Sequence, residues 1–284
     1  MATAKLQFSV GLCTCCKVRN NMWWLRCIKP LQTELSSVWQ YLHGLMRNSS
    51  AALWLNCYTA NALFLERMEN KMKIALINEN SQAAKNAMVC ETLKKVVEPM
   101  GHEVFNYGMY SAEDEHQLTY VQNGILAAVL LNSGAADFVI TGCGTGEGAM
   151  LACNAFPKVL CGHIESPLDA YLFSQVNDGN CVALPFAENF GWGGELNLEY
   201  IFEKLFCAPG GGGYPKERVV PEQRNKKILD EVKEVTHADL CDILPKLDKE
   251  LCKGALSGEK FQEYFFANCK CDKIAAAVKS ILEG

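Results

Sequence analysis

Short apolar runs alternate with longer segments of helical period from residue 73 onward. The runs cover residues 74–77, 103–107, 138–141, 159–164 and 181–184. Between them apolar side chains recur every three or four positions, as in Val89, Leu93 and Val96. Runs of this length favour buried strands, and the intervening spacing favours amphipathic helices. A strand and a helix that repeat in this way predict an α/β fold with a parallel sheet covered on both faces.

Two serines mark expected helix starts. Ser111 and Ser166 each have an acid three residues later, Asp114 and Asp169, and Pro167 would occupy the first helical position of the second helix. A hydroxyl cap paired with an acid at this spacing satisfies free N–H groups of a first helical turn. We expect a helix to begin at each serine.

The composition divides the chain near residue 70. Residues 1–70 carry seven basic and three acidic residues, a local charge of +4 in a chain whose net charge is -5. We expect this segment to be an N-terminal extension, either transit-like or outside the functional core. An α/β core is expected over 71–208, a glycine-rich linker with an arginine-bearing helix over 209–235, and a helical extension over 236–284. The apolar stripe of that extension predicts packing onto the core or onto a neighbouring subunit.

The chain contains 15 cysteines among 284 residues. This share is below that of disulfide-stapled secreted domains, and Cys90, Cys153, Cys161 and Cys181 stand in apolar runs where a thiol packs as a small hydrophobe. The cysteines within residues 13–16 lack a second Cys/His pair at zinc spacing, so we expect no metal there. The pattern indicates a reducing compartment. A cytoplasmic location is expected, with organelle targeting by the N-terminal segment left open.

Charge and hydropathy exclude two classes of partner. A net charge of -5 supplies no basic field for a polyphosphate backbone, so nucleic acid is not expected as a partner. The apolar stretch at 51–65 is too short for a bilayer and is interrupted by Asn56, Thr59 and Asn61. No membrane partner is expected either.

A glycine-rich turn follows the third predicted strand. Residues 142–149 read Gly-Cys-Gly-Thr-Gly-Glu-Gly-Ala and open onto a helix. Backbone N–H groups can converge on an anion at such a turn, and the helix dipole adds to the attraction. Cys143 stands among those donors, which favour the thiolate form. The turn therefore predicts an anion site with a cysteine as base or nucleophile.

The same turn fits a dinucleotide-binding pattern. Gly144, Gly146 and Ala149 have the required spacing, and Glu165 lies 21 positions beyond Gly144. Dinucleotide folds place this turn after their first strand, whereas here two strand and helix units precede it. A nucleotide-dependent oxidoreductase is therefore the less favoured alternative.

Three motifs occur in a distinctive order. They are the cysteine-glycine turn at 142–148, the Asn-Asp-x-Asn motif at 177–180 before the fifth strand, and a late arginine-bearing segment. Over about residues 72–230 this order resembles type B ribose-5-phosphate isomerases and their galactose-6-phosphate isomerase relatives. The resemblance implies a Rossmann-like three-layer α/β/α sandwich with five parallel strands. It also implies a homodimer or higher homo-oligomer with shared active sites, which isomerises a sugar phosphate between aldose and ketose without a metal or other cofactor.

The resemblance also implies a role for each candidate residue. Cys143 would be the base that shuttles a proton between adjacent carbons through an enediolate, with Thr145 and Glu79 as further catalytic residues. Fixed N–H donors would hold the negative oxygen of the enediolate. The implied anion-hole and substrate-binding residues are Gly144, Gly146, Glu147, Gly148, Asn80 and Asn177. The implied phosphate-binding residues are Arg218 and Arg224.

Two positions depart from the family pattern. Glu79-Asn80 stands where Asp-His is common, and Val176 stands where a ring-opening His is common. Valine cannot transfer a proton, so the ring is opened otherwise, or the substrate is not ribose 5-phosphate, or turnover is poor. His163 is one candidate substitute. A noncatalytic sugar-phosphate-binding subunit is the alternative that the missing imidazoles leave open.

Overall fold

The computed structural model describes residues 71–284, so the predictions for residues 1–70, including the extension and the cysteines within 13–16, lie outside the described residues. Five parallel strands form one sheet in the order β2-β1-β3-β5-β4. The strands are β1 (Lys73–Leu76), β2 (Glu103–Asn106), β3 (Phe138–Cys143), β4 (Cys161–His163) and β5 (Cys181–Pro185). The five-stranded parallel sheet predicted from the apolar runs is confirmed.

Helices cover both faces of this sheet. They are α1 (Asn86–Val97), α2 (Tyr120–Ser133), α3 (Glu147–Asn154), α4 (Pro167–Leu172), α5 (Gly194–Phe206), α6 (Val219–Thr236), α7 (Leu240–Ile243), α8 (Lys249–Leu256), α9 (Glu259–Asn268) and α10 (Asp272–Glu283). No helix within residues 71–284 is long and apolar enough to cross a membrane.

Alternate residues of β1 enter the two cores. Ile74 and Leu76 pack with apolar side chains of α1 and α5, whereas Ala75 and Ile77, just beyond the strand, pack with those of α2 and α3. A strand projects successive side chains to opposite faces, so a continuous apolar run fills both layers. The three-layer α/β/α sandwich is therefore confirmed.

The C-terminal helices pack on the α2 face of the sheet. Leu240, Leu244, Phe261, Phe265 and Val278 are at most 2% exposed and join the core that contains α2 and α3. The sequence left open whether this stripe meets the core or a second subunit. In the described chain these side chains are part of the core.

One of the two predicted helix starts is wrong. Ser166 accepts a hydrogen bond from Asp169 N and forms a capping box at the start of α4, as predicted. Ser111 instead lies in a turn, because Asp114 accepts hydrogen bonds from Tyr110 N at 3.0 Å and His116 N at 3.0 Å. Such side-chain bonds to nearby N–H groups favour turns over helix. The helix begins later, where Thr119 caps α2.

Candidate active site

The strand order predicts a ligand site at the carboxyl ends of β1 and β3. Strand β2 lies on one side of β1, and β3 lies on the other side. The direction in which the chain adds strands to the sheet therefore reverses between β1 and β3. Ligands of open α/β sheets bind at such a switch point. Glu79 follows β1, and Cys143 ends β3. The two candidate catalytic residues therefore lie at the same edge of the sheet.

The Cys143 turn is anchored to the chain that leaves β5. Phe186 N donates to Cys143 O at 2.9 Å, and Ala187 N donates to Gly144 O at 2.9 Å. Cys143 itself is 8% exposed. A Cβ atom added to Gly148 would lie 3.7 Å from Cys143 Sγ. The sulfur therefore faces the first turn of α3, where free helical N–H groups lie.

Two glycines allow this turn to approach its neighbours closely. A Cβ atom on Gly142 would lie 2.3 Å from Leu184 O. Gly146 has a φ of +79°, and a Cβ atom there would lie 2.7 Å from His163 Cδ2. A side chain at either position would force the backbone to shift. The glycines thus set the position of the turn, as well as leaving its N–H groups accessible.

His163 holds the turn in position through a hydrogen bond. Its Nε2 lies 2.8 Å from Thr145 O, so this nitrogen donates to the turn, and its Nδ1 lies 3.4 Å from Glu165 Oε1. The Thr145 residue itself is exposed. The sequence analysis offered His163 as a substitute ring-opening group. The Nε2–H already donates to the Thr145 carbonyl. His163 is therefore better described as a residue that positions the turn than as a ring-opening group.

Glu79 is buried and held by its own local turn. It is 3% exposed, and its two carboxylate oxygens accept hydrogen bonds from Ser81 N at 2.9 Å and Ser81 Oγ at 2.5 Å. Asn80, which is exposed, donates its backbone N–H to Leu118 O at 2.7 Å. Both carboxylate oxygens are therefore bound by Ser81, an exposed residue that was not predicted from the sequence as part of the site.

A buried amide links the strands on which these residues lie. With its amide oriented to satisfy its neighbours, Asn123 accepts from Glu79 N at 3.3 Å and Thr141 Oγ1 at 3.1 Å, and donates to Thr119 O at 3.3 Å. One side chain of α2 thus contacts the end of β1, strand β3 and the cap of α2. Such a fully paired buried polar group fixes the relative position of the elements around it.

Lys85 supplies positive charge beside the turn. Its Nζ donates to Gln82 Oε1 at 2.8 Å and to the carbonyl of Phe186, the residue whose N–H binds Cys143 O. Burial lowers the pKa of Lys85. This lysine was not predicted from the sequence, because it follows β1 by several residues and belongs to no motif.

Tyr120 is a second residue that the sequence analysis missed. It is the first residue of α2, and its ring carbons lie 3.4 Å from the Cβ position of Gly148, which also contacts Cys143 Sγ. Tyr120 is 45% exposed. The signal available in the sequence was the capping pair Thr119 and Gln122, because it places Tyr120 at the start of a helix beside the turn.

Three predicted site residues lie away from Cys143. Asn177 ends the π-helical segment Phe173–Asn177, which precedes β5, whereas Cys143 pairs with Pro185 at the other end of β5. The four residue steps of β5 alone span about 13 Å. Arg218 and Arg224 are exposed on the segment that packs against the π-helical segment. One chain therefore brings Cys143, Gly144, Thr145, Gly146, Glu147, Gly148, Glu79 and Asn80 to one edge, and Asn177, Arg218 and Arg224 to the other.

The comparisons with known proteins agree on one family. A family model described as Ribose/Galactose Isomerase matches residues 74–201, and one described as Ribose-5-phosphate isomerase matches residues 235–281. The crystal structure of a 4-deoxy-L-threo-5-hexosulose-uronate ketol-isomerase complexed with a tartrate is 64% identical, with a TM-score of 0.73, over 75% of this chain and 100% of that chain. No curated protein matches.

Two further solved structures extend the comparison. A ribose-5-phosphate isomerase from Vibrio parahaemolyticus is 53% identical, with a TM-score of 0.73, over 75% of this chain and 100% of that chain. A type B ribose 5-phosphate isomerase from Trypanosoma cruzi is 19% identical, with a TM-score of 0.50, over 60% of this chain and 100% of that chain, and it supports the fold alone.

Fold, turn and relatives together define an α/β isomerase. The chain belongs to the ribose/galactose isomerase family, as the motif order indicated. It is an enzyme that interconverts aldose and ketose sugars. The prediction of an isomerase is confirmed, which sets aside the oxidoreductase and noncatalytic alternatives.

Proposed function

We propose that this protein is a ketol-isomerase of an acyclic, anionic sugar, and that its substrate is the 4-deoxy-L-threo-5-hexosulose uronate named for its 64% identical relative. The single observation that carries this proposal is that identity, which extends over the whole of the relative's chain. The substrate class also agrees with Val176, as the ring chemistry explains.

The chemistry of this sugar accounts for the missing imidazole. Its name specifies an aldehyde at C1, a ketone at C5 and no hydroxyl at C4. Ordinary furanose and pyranose rings close through hydroxyls on C4 and C5, so neither ring forms by that route. An isomerase for such a substrate needs no residue to open a ring. Val176, in place of the family's proton-transferring histidine, suits a substrate of this kind.

Cys143 is the proposed base. Its thiolate takes the proton from C2, the electrons of the C–H bond form a C1–C2 double bond, and the carbonyl oxygen on C1 becomes negative. The thiol then returns its proton to C1, which gives the 2-ketose. The N–H groups of Gly144 to Gly148 are the proposed donors to the negative oxygen, since fixed donors stabilise an enediolate more than the neutral carbonyl.

A second proton must move between the two oxygens. The hydroxyl on C2 loses its proton as it becomes a carbonyl, and the oxygen on C1 gains one. We assign this transfer to Glu79 through Ser81, whose hydroxyl donates to the carboxylate at 2.5 Å. The exposed Thr145 and Asn80 are proposed to contact sugar hydroxyls from the rim of the turn.

The remaining half of the site is proposed to come from a second copy. Asn177, Arg218 and Arg224 lie at the far end of β5 from Cys143, too far to share one small substrate with it in a single chain. Helix α6 has no buried residue and exposes Val220, Ile228, Leu229, Val232 and Val235. A homodimer would cover this apolar surface and bring arginines to a neighbouring Cys143 site, where they would clamp the substrate's carboxylate.

Ribose 5-phosphate is the second candidate substrate. It is favoured by the 53% identical relative, named a ribose-5-phosphate isomerase, and by the family description matched over residues 235–281. The same arginines could clamp a phosphate. This sugar closes a furanose ring through its C4 hydroxyl, so its turnover would require a ring-opening group other than residue 176.

A side-by-side assay in D2O tests the proposal. The full chain is incubated with each sugar, and the products are followed by NMR for carbonyl migration and for deuterium at C1. We expect migration and deuterium incorporation with the 4-deoxy uronate, faster than with ribose 5-phosphate by at least tenfold. The Cys143→Ala variant should show neither.

The outcomes separate substrate from mechanism. Faster turnover of ribose 5-phosphate would overturn the uronate assignment and leave the cysteine base in place. Deuterium incorporation at the wild-type rate in Cys143→Ala would overturn the base. The Cys252→Ser variant, altered at a buried thiol of α8 in the C-terminal helices, is the matched control and should keep wild-type rates.

A further inference from the structure

Three cysteines that play no part in the proposed reaction meet inside the core. Cys153 lies on α3, Cys161 begins β4 and Cys181 begins β5. Their sulfur atoms all lie within 4.8 Å of one another, and the side chains are at most 8% exposed. Within residues 71–284 this is the one group of three or more His, Cys, Asp or Glu side chains close enough to share an ion.

The thiols have mainly one another as polar neighbours. Apart from the other sulfurs, Cys161 Sγ lies 3.8 Å from Gly162 O. The nearest cation is Lys233 of α6, whose Nζ donates to Val159 O at 2.5 Å and Asn154 O at 3.1 Å. Lys233 is therefore held beside the segments that carry Cys153 and Cys161.

The spacing of the sulfurs suits a three-coordinate ion. A metal bonded to thiolates at about 2.3 Å in a trigonal arrangement keeps its sulfurs about 4.0 Å apart. Structural Zn²⁺ takes four ligands, and no fourth His, Asp or Glu of the described chain joins the group. Thiolate-only sites select soft ions, of which Cu(I) accepts three sulfurs. The ammonium of Lys233 offsets part of the charge that thiolate ligands bring.

Side-chain hydrogen bonds tie the framework around the cluster together, and a surface cavity lies beside this framework. The Asn154 amide donates to Cys161 O at 2.8 Å and accepts from Cys161 N at 3.0 Å, so α3 and β4 are tied beside the thiols. Lys233 also lines a surface cavity of about 460 Å³ together with Leu160 and Asn180, the residues that precede Cys161 and Cys181. The cavity therefore lies next to the segments that lead into β4 and β5.

We propose that Cys153, Cys161 and Cys181 bind one Cu(I) ion through their three sulfur atoms, with release of the thiol protons to solvent. The site is independent of the substrate proposed above. Because its ligands belong to a helix and two strands, the bound ion cross-links the core and stabilises the fold.

Anaerobic titration tests the proposal. The reduced full chain receives Cu(I) in the presence of a chromogenic Cu(I) chelator, and retained copper is counted. We expect wild type to retain one equivalent more than Cys161→Ala and Cys181→Ala, and a higher unfolding temperature on loading that neither variant shows. The Cys252→Ala variant removes an equally buried thiol outside the cluster and should retain as much copper as wild type.

A second measurement does not depend on the variants folding. X-ray absorption of wild type with one equivalent should give three sulfur neighbours at about 2.3 Å. Equal retention by folded wild type, Cys161→Ala and Cys181→Ala would overturn the proposal, as would a copper signal with nitrogen or oxygen neighbours. Retention of Zn²⁺ but not Cu(I) would overturn the choice of ion.

Discussion

The two ends of helix α3 place cysteines in opposite surroundings. Cys143 ends β3 just before the helix, beside N–H groups with partial positive charge. Cys153 lies in the last turn, fully buried, at the end where helix carbonyls carry partial negative charge. The helix dipole favours a negative charge at the first end and disfavours one at the second. Position along one helix, rather than residue type, is therefore the basis for proposing Cys143 as a base and Cys153 as a metal ligand.

The strongest test of this contrast is removal of the Cys143 sulfur. Cys143→Ala should lower kcat/KM by about 10²- to 10⁴-fold, the usual contribution of a positioned proton-transfer group. The unfolding temperature should stay near wild type, because the lost sulfur is small. Steady-state kinetics and thermal unfolding measure the two effects. A loss of less than tenfold would mean that another group takes the proton.

The next test concerns the residues at the far end of β5. We expect Cys143→Ala and the Arg218→Ala/Arg224→Ala double variant each to be nearly inactive alone. Coexpressed with different tags, they should form mixed dimers that contain one intact site, and about a quarter of the wild-type sites should return at equal mixing. Each variant mixed with itself is the control. Additive residual activity in the mixture would show that each chain carries a complete site.

A methyl group beside Cys143 sharpens the comparison without removing any functional group. In Gly148→Ala the new Cβ atom lies 3.7 Å from Cys143 Sγ and 3.4 Å from Tyr120, ordinary contact distances. The fold should persist, while substrate is displaced from the sulfur and kcat/KM falls about 10- to 100-fold. Gly191→Ala is the control, since its methyl meets no other atom within 4 Å and Gly191 has no part in the proposed site. Equal kinetics for the two variants would place the substrate elsewhere.

The strands and the turn could be predicted because their signals are local. An apolar run such as residues 138–141 becomes a buried strand of the sheet. The glycines around Cys143 indicate a turn with close backbone contacts and a positive φ. The helix start predicted at Ser111 was wrong because its spacing to an acid is the same as that of Ser166. Only the structure shows that Asp114 binds nearby N–H groups in a turn. Local spacing cannot choose between two hydrogen-bonding patterns of similar energy.

Contacts between segments that are distant along the chain could not be predicted from the sequence. The sequence predicted only that each cysteine of the cluster packs as a small hydrophobe. The proximity of Cys153, Cys161 and Cys181 depends on the pairing of β4 with β5 and on the position of α3. The separation of Cys143 from Asn177 likewise follows from which end of β5 each approaches. Sheet order and strand direction decide such distances, and spacing along the chain does not encode them.

Substitution at the buried cluster should give the reverse of the Cys143 result. Cys181→Ser places a hydroxyl among thiols and apolar side chains at a fully buried position. We expect the free energy of unfolding to fall by about 1 to 3 kcal/mol, because a buried hydroxyl without good partners is costly. The kcat of the folded enzyme should stay within about twofold of wild type, a change below 0.5 kcal/mol in barrier height. Denaturant unfolding and kinetics on one sample separate the two effects.

The smallest expected effect distinguishes two helix caps at the active-site edge. Thr119 and Ser166 each form a capping box, at the starts of α2 and α4, so replacement by alanine should cost about 1 kcal/mol of stability in either case. Only Thr119 precedes Tyr120, whose ring packs against Gly148 beside Cys143. Thr119→Ala should therefore also raise KM a few fold, by analogy with other small displacements near a reacting centre, whereas Ser166→Ala should leave KM unchanged. If both variants lose stability and neither changes KM, Tyr120 does not contact substrate, and the site at the ends of β1 and β3 is bounded by the turn and Glu79 alone.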